Sequence, residues 1–72
     1  MENNIKFISV TDAFTGYEIV INSNYIIAIQ KAIDLENTEI YVALDRRSVD
    51  FKKYTTSDSI KTIKAKLGIL NK

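Results

Sequence analysis

The chain contains no cysteine, no histidine and no proline, and its 72 residues include two glycines, Gly16 and Gly68. Each absence removes a class of chemistry. Without cysteine or histidine there is no zinc finger, no disulfide framework and no thiol or imidazole catalysis. A general base would have to be a carboxylate or a lysine, and no pair of these falls in a recognisable catalytic motif. Two isolated glycines spell neither a P-loop nor a dinucleotide fingerprint. No apolar run approaches the about 20 residues of a membrane-spanning helix, and Met1-Glu2-Asn3-Asn4 does not resemble a secretory signal. The expectation is a cytoplasmic protein that is not an enzyme, with no catalytic residue, no cofactor, no metal and no membrane contact. The lack of cysteine agrees with a reducing compartment.

What is present is a chain of 8.2 kDa with 46% hydrophobic and 26% charged side chains, read as a single small domain over residues 1–72. A domain of this length buries about 60% of the surface its unfolded chain exposes. With no disulfide to add stability and no proline to blunt strand edges, self-association into a homo-oligomer is expected. Twelve isoleucines, eight lysines and six asparagines suggest an AT-rich coding sequence, of a bacterium or its phage. Net charge is +1 but unevenly spread. Up to Asp45 two lysines face seven acids, a net of −5; from Arg46 onward eight basic residues face two acids, a net of +6. Such a polar chain suits head-to-tail stacking or a basic face for an anion, unless the charges are simply solvated.

The first half alternates with period 2, which argues strands. Strands are expected over residues 5–11, 17–21, 25–30, 38–44 and 49–54. In the first, Ile5 and Phe7 point one way and Ile8 and Val10 the other, which suggests cover on both faces. Asp12 and Gly16 mark a hairpin turn, and Asn22-Ser23-Asn24 a tight corner. The dense run Ile26, Ile27, Ile29 reads as a central strand buried on both faces. Lys31 to Asn37 is a charged connection, and residues 38–44 place Ile40, Val42 and Leu44 opposite Glu39, Tyr41 and Ala43. Asp45-Arg46-Arg47-Ser48 makes the next turn. A helix over residues 56–67 is announced by Thr55 as cap and Asp58 as capping-box acid; Ile60, Ile63 and Leu67 form its apolar face. Gly68 stops it, with Ile69 set to touch Ile63. The fold expected is α+β and mainly β: about five short antiparallel strands in a meander, as a curled sheet or small open barrel, with one C-terminal helix.

The order of these signals resembles the small flagellar FlbD-type family. The residues that carry the likeness are Ile8-Ser9-Val10-Thr11-Asp12, Thr15-Gly16, Ile19-Val20-Ile21-Asn22, Ile26-Ile27-Ala28-Ile29, Thr38-Glu39-Ile40, Phe51, and Ser57 to Ile63. They span most of the chain, and Arg46-Arg47-Ser48 stands where that family usually has a glycine. The resemblance implies an accessory protein acting by protein contacts. Residues 25–67 are also similar to part of LytTR-type DNA-binding domains, which would make Lys31, Arg46 and Arg47 base-reading candidates.

Arg46-Arg47 is the most suggestive local feature, because two planar guanidiniums at a hairpin tip suit bidentate contact with phosphate or carboxylate. The plainer reading is a solvated turn. Lys31, Lys52 and Lys53 are the next candidates for an anion site. Any of Tyr17, Tyr25, Tyr41 and Tyr54 can stack on a base, or simply pack, and Tyr41 and Tyr54 are the two placed in the candidate site. Three functional classes follow. The first is a homo-oligomeric, phage-encoded binding protein that sequesters a small anionic or nucleotide-type ligand, in the manner of phage proteins that capture host immune signals. The second is a flagellar or other cytoplasmic accessory protein, and the third a LytTR-like DNA-binding module, which a net charge near zero disfavours.

Overall fold

A computed structural model describes residues 6–44 and 50–68, and within them the chain runs through five strands and one helix: β1 (Phe7–Thr11), β2 (Glu18–Asn22), β3 (Ile26–Lys31), β4 (Thr38–Ala43), β5 (Phe51–Thr56) and α1 (Ile60–Leu67). All pairings are antiparallel, as the short connections require. The strands divide into a two-stranded sheet, β1-β2, and a three-stranded sheet in the order β3-β4-β5. They do not close into a barrel.

The hairpin β1-β2 sets Ile8 opposite Ile21 and Val10 opposite Ile19. Directly opposed residues share a face, and this face is the one that turns inward. Ile8, Val10 and Ile21 join Ile40 of β4 and Ile63 of α1 in the buried core, flanked by Ile19, Ile26, Ile29, Val42, Tyr54 and Leu67. The other face of β1 is not covered, since Phe7 is 61% exposed. Between β2 and β3 the chain turns through a 3-10 helix, Ser23–Tyr25, in which the Asn22 carboxamide accepts from the Asn24 amide. Both the amide and the hydroxyl of Ser23 donate to the Lys6 carbonyl, pinning this corner to the start of β1. That corner is why β2 and β3 do not pair and the meander is broken into two sheets.

Hairpin connectivity also corrects the place of the isoleucine-rich strand. β4 pairs on both sides, so β4 is central and β3 is an edge strand. A bulge between Ile26 and Ala28 leaves Ile27 without a partner, 58% exposed. On β4 the inward residues are Thr38, Ile40 and Val42, while Leu44 lies past the strand and is exposed. Lys31 ends β3, paired with Thr38, and the rest of the expected connection, Ala32 to Asn37, is a loop. Its Asp34 carboxylate accepts from the amides of Glu36 and Asn37.

The end of β5 and the start of α1 lie further along than the sequence suggests. β5 runs to Thr56 rather than Tyr54, and the helix cap is Ser59, whose hydroxyl accepts from the Thr62 amide at 3.1 Å, rather than Thr55. Thr55 and Thr56 are strand residues because they pair with Glu39 and Thr38 of β4, and they also join the two sheets. The Thr55 carbonyl accepts from the Ala13 amide at 2.9 Å, and the Thr56 hydroxyl donates to the Thr11 carbonyl at 2.6 Å. Asp58 accepts from the Thr11 amide and pairs with Lys66 at 3.6 Å instead of closing a capping box. Gly68 ends α1 with φ +81°, a left-handed conformation that suits glycine. The expected Ile69 contact lies outside the described residues, as does the Asp45 to Val49 stretch. No helix among the described residues is long and apolar enough to cross a membrane.

Candidate functional site

The turn joining β1 to β2 is built by Asp12. Its carboxylate accepts from the amides of Phe14 at 3.1 Å and Thr15 at 2.8 Å, while its carbonyl accepts from Gly16. Gly16 takes φ +78° with open space around it, so the turn closes without strain. These bonds, the Thr15 amide first, hold the Asp12 carboxyl below the usual carboxylate range. A turn fixed in this way pushes its aromatic residues outward: Phe14 is 79% exposed and Tyr17 75%.

The same turn lies against β5 through the Ala13 to Thr55 hydrogen bond. Residues of β5 two apart share a face. Lys52 and Tyr54 therefore stand together, with the Lys52 ammonium 5.2 Å from the centre of the Tyr54 ring. Between this pair and the turn lies an open cleft of about 380 Å³, lined by Asp12, Phe14, Tyr17, Ile19, Lys52 and Tyr54 among others. No acidic side chain among the described residues forms an ion pair with Lys52. Among the described residues the cleft offers three aromatic rings and one cation without an ion pair.

The other expected site residues go elsewhere. Lys53 borders the cleft, but alternation carries its ammonium to the outer face of the sheet, 3.5 Å from Glu39. Tyr41 faces outward with it, as its opposite number on β4. The Tyr41 hydroxyl donates to Glu39 at 3.2 Å and its ring meets Phe51 edge-on at 5.6 Å. Glu39 thus gathers Gln30, Tyr41 and Lys53, and the Gln30 donation foremost holds its carboxyl below the ordinary range. Lys31 donates to the Leu35 carbonyl at 3.1 Å within its own connection. Arg46 and Arg47 lie outside the described residues. Of the seven expected residues, the structure brings Lys52, Lys53 and Tyr54 to one cleft and adds Phe14 and Tyr17. Sequence reasoning passes over Phe14, although an aromatic residue inside a polar turn is a usable signal.

A second groove, of about 580 Å³, runs between the edge strand β3 and α1. Ile26, Ile27, Ile29, Ile60 and Leu67 line it, with the half-buried Lys64. Among the described residues Lys64 has no ion pair, and no group of three or more potential metal ligands occurs. Comparison with protein-family models, with curated proteins and with solved structures finds no match to this chain.

Proposed function

We propose that this chain is a small non-catalytic binding protein that works as a homo-oligomer and takes a small anionic ligand of nucleotide type in the cleft between the β1–β2 turn and β5. The observation that carries this reading is the Lys52 ammonium lying over the Tyr54 ring beside the exposed Phe14 and Tyr17. Exposed rings give a base something to stack on, worth about 1–3 kcal/mol per base. An unpaired ammonium at their edge supplies the charge for a phosphate. Asp12, the one carboxylate lining the cleft among the described residues, is held ionised by two amides and so is a poor proton donor near neutral pH. Arg46 and Arg47, in the connection that leads into β5, are the further anion donors of this reading. Sequestration, rather than turnover, is what such a cleft would do, and a phage-encoded antagonist of a host signal is the form of it that the chain's size and composition suggest.

The homo-oligomer part is supported by large apolar side chains left outside, from Phe51 at 56% exposure to Ile33 at 96%. The unpaired edge of β3 equally favours a second reading, an accessory protein acting through protein contacts.

The test is calorimetry against a panel of mononucleotides and cyclic nucleotides. Lys52→Ala and Tyr17→Ala should each weaken binding by about tenfold, the scale of one lost stacking or charged contact. The double replacement Arg46→Ala with Arg47→Ala should weaken it further. Equal affinity in every variant would exclude the cleft, and no binding by the parent protein would leave the protein-contact reading in its place.

A further inference from the structure

The β3–β4 connection lies past the end of one edge strand and the β3–α1 groove runs beside its first four residues, and their chemistry matches. The connection carries Ile33, 96% exposed, and Leu35, 70% exposed, alternating with Asp34 and Glu36. Leu35 sits at φ +64°, a left-handed conformation that glycine or asparagine adopts with less strain. Its amide donates to the Ala32 carbonyl, and Asp34 locks the residues that follow through the amides of Glu36 and Asn37. The result is a rigid knob with two aliphatic side chains held in water. At the other end, near Ile26 and Ile27, lies the apolar groove with half-buried, unpaired Lys64 at its side.

We propose that a second copy of this chain pairs antiparallel along the β3 edge about a two-fold axis, so that the Ile33–Glu36 knob of each subunit seats in the other's β3–α1 groove. The inference rests on the homo-oligomer part of the reading above and names its interface. Antiparallel pairing of a strand with its own copy sets the end of one β3 beside the start of the other. Lys31, the last residue of β3, lies four positions beyond Ile27, about 13 Å at ~3.3 Å per residue, and the knob follows it, so in the antiparallel pair the knob of one copy falls beside the groove of the other. A two-fold makes the contact twice, which is the self-complementarity that an isologous dimer needs. Pairing also satisfies the open amides and carbonyls of β3, covers Ile27, and buries Ile33 and Leu35 against Ile26, Ile60 and Leu67. Charge agrees with shape. Glu36 has no ion pair among the described residues, and in the dimer it approaches Lys64 of the partner subunit, which has none either.

Sedimentation velocity at micromolar concentration tests this, with far-UV circular dichroism as the check on folding. Ile33→Glu should weaken self-association about tenfold or more and leave the spectrum unchanged, since Ile33 makes no buried contact within one subunit. Glu36→Lys and Lys64→Glu should each weaken it, and the two together should restore it, which a merely structural role for either residue would not do. A parent protein that sediments as a monomer would overturn the homo-oligomer reading along with this interface. A parent oligomer indifferent to Ile33→Glu would overturn the interface alone.

Discussion

Thr56 is fully buried, and its hydroxyl is the side-chain member of the joint between the two sheets. It donates to the Thr11 carbonyl at 2.6 Å and accepts from the Asp58 amide at 3.1 Å. Thr56→Val keeps the shape and removes both bonds. The Thr11 carbonyl retains the Ser57 amide at 3.1 Å, so its loss is the net value of one hydrogen bond, about 0.5–1.5 kcal/mol. The Asp58 amide loses its acceptor in a part-buried position and adds a fraction of the 1–3 kcal/mol that a fully buried orphan donor costs. The total is about 2 kcal/mol, or roughly 8–16 °C in melting temperature for a domain of this size. Thr56→Ser keeps both bonds and loses a methyl group, for about 1 kcal/mol. The expected order of stability is therefore parent, then Ser, then Val. Thermal melts at one fixed protein concentration give the order, and hydrogen exchange at the Ser57 and Asp58 amides shows whether the joint opens. A Val variant at or above the Ser variant would mean that packing, not the hydroxyl, holds the sheets together, and would refute the reasoning.

Ile63 is fully buried where α1 meets both sheets, so Ile63→Val should cost about 0.5–1.5 kcal/mol and Ile63→Ala about 2–5 kcal/mol, against almost nothing for exposed Lys61→Ala; equal shifts in melting temperature for Ile63→Ala and Lys61→Ala would show that the buried face is misassigned. Asp12, Asp34 and Glu39 all have carboxyls held below their ordinary values, Asp34 chiefly by the Asn37 amide. A depressed folded-state pKa gives stability that is present above the ordinary carboxylate range and lost as pH falls through the folded value, so denaturant midpoints should hold level from neutral pH and fall between about pH 4 and pH 2. Midpoints that rise on acidification through that window would contradict the three networks.

Where the sequence is legible and where it is not follows from the range of the interactions. The Asp12 to Gly16 turn and the Asn22 corner depend on side chains bonding their own backbone within four residues, the Gly68 stop depends on a left-handed φ that glycine takes freely, and the sequence shows all three directly. The alternation of β4 is equally local. The helix start is not, because Thr55 and Ser59 both make acceptable caps and the choice is made by the Thr56 hydroxyl bonding to Thr11, 45 positions away. The edge position of β3 is hidden from the sequence for a similar reason. An isoleucine-rich run indicates apolar surroundings, but whether it is central depends on which strands pair on both sides, and the surroundings of β3 turn out to be the groove beside α1 and an open edge. The candidate site is a further case. Lys52 and Lys53 are adjacent in a strand, and period-2 alternation alone sends their ammonium groups to opposite faces, one to Tyr54 and the other to Glu39.

That division bears on how the two proposed surfaces relate. β3 and β5 flank β4 on opposite sides, about 10 Å apart at ~4.8 Å per strand step. A second copy added beyond β3 extends the sheet away from β5, and leaves the cleft of Lys52, Tyr54, Phe14 and Tyr17 as open as it is in one subunit. The residues that build the cleft come from the β1–β2 turn, the start of β2 and β5, the turn and β5 being joined by the Ala13 to Thr55 hydrogen bond, and none belongs to the knob or the groove. Ligand and partner would thus make no contact in common, and with no differential contact there is no coupling free energy between them. On this geometry the proposed oligomer would support the fold of a small chain with an exposed edge, while each subunit would bind the proposed ligand by itself.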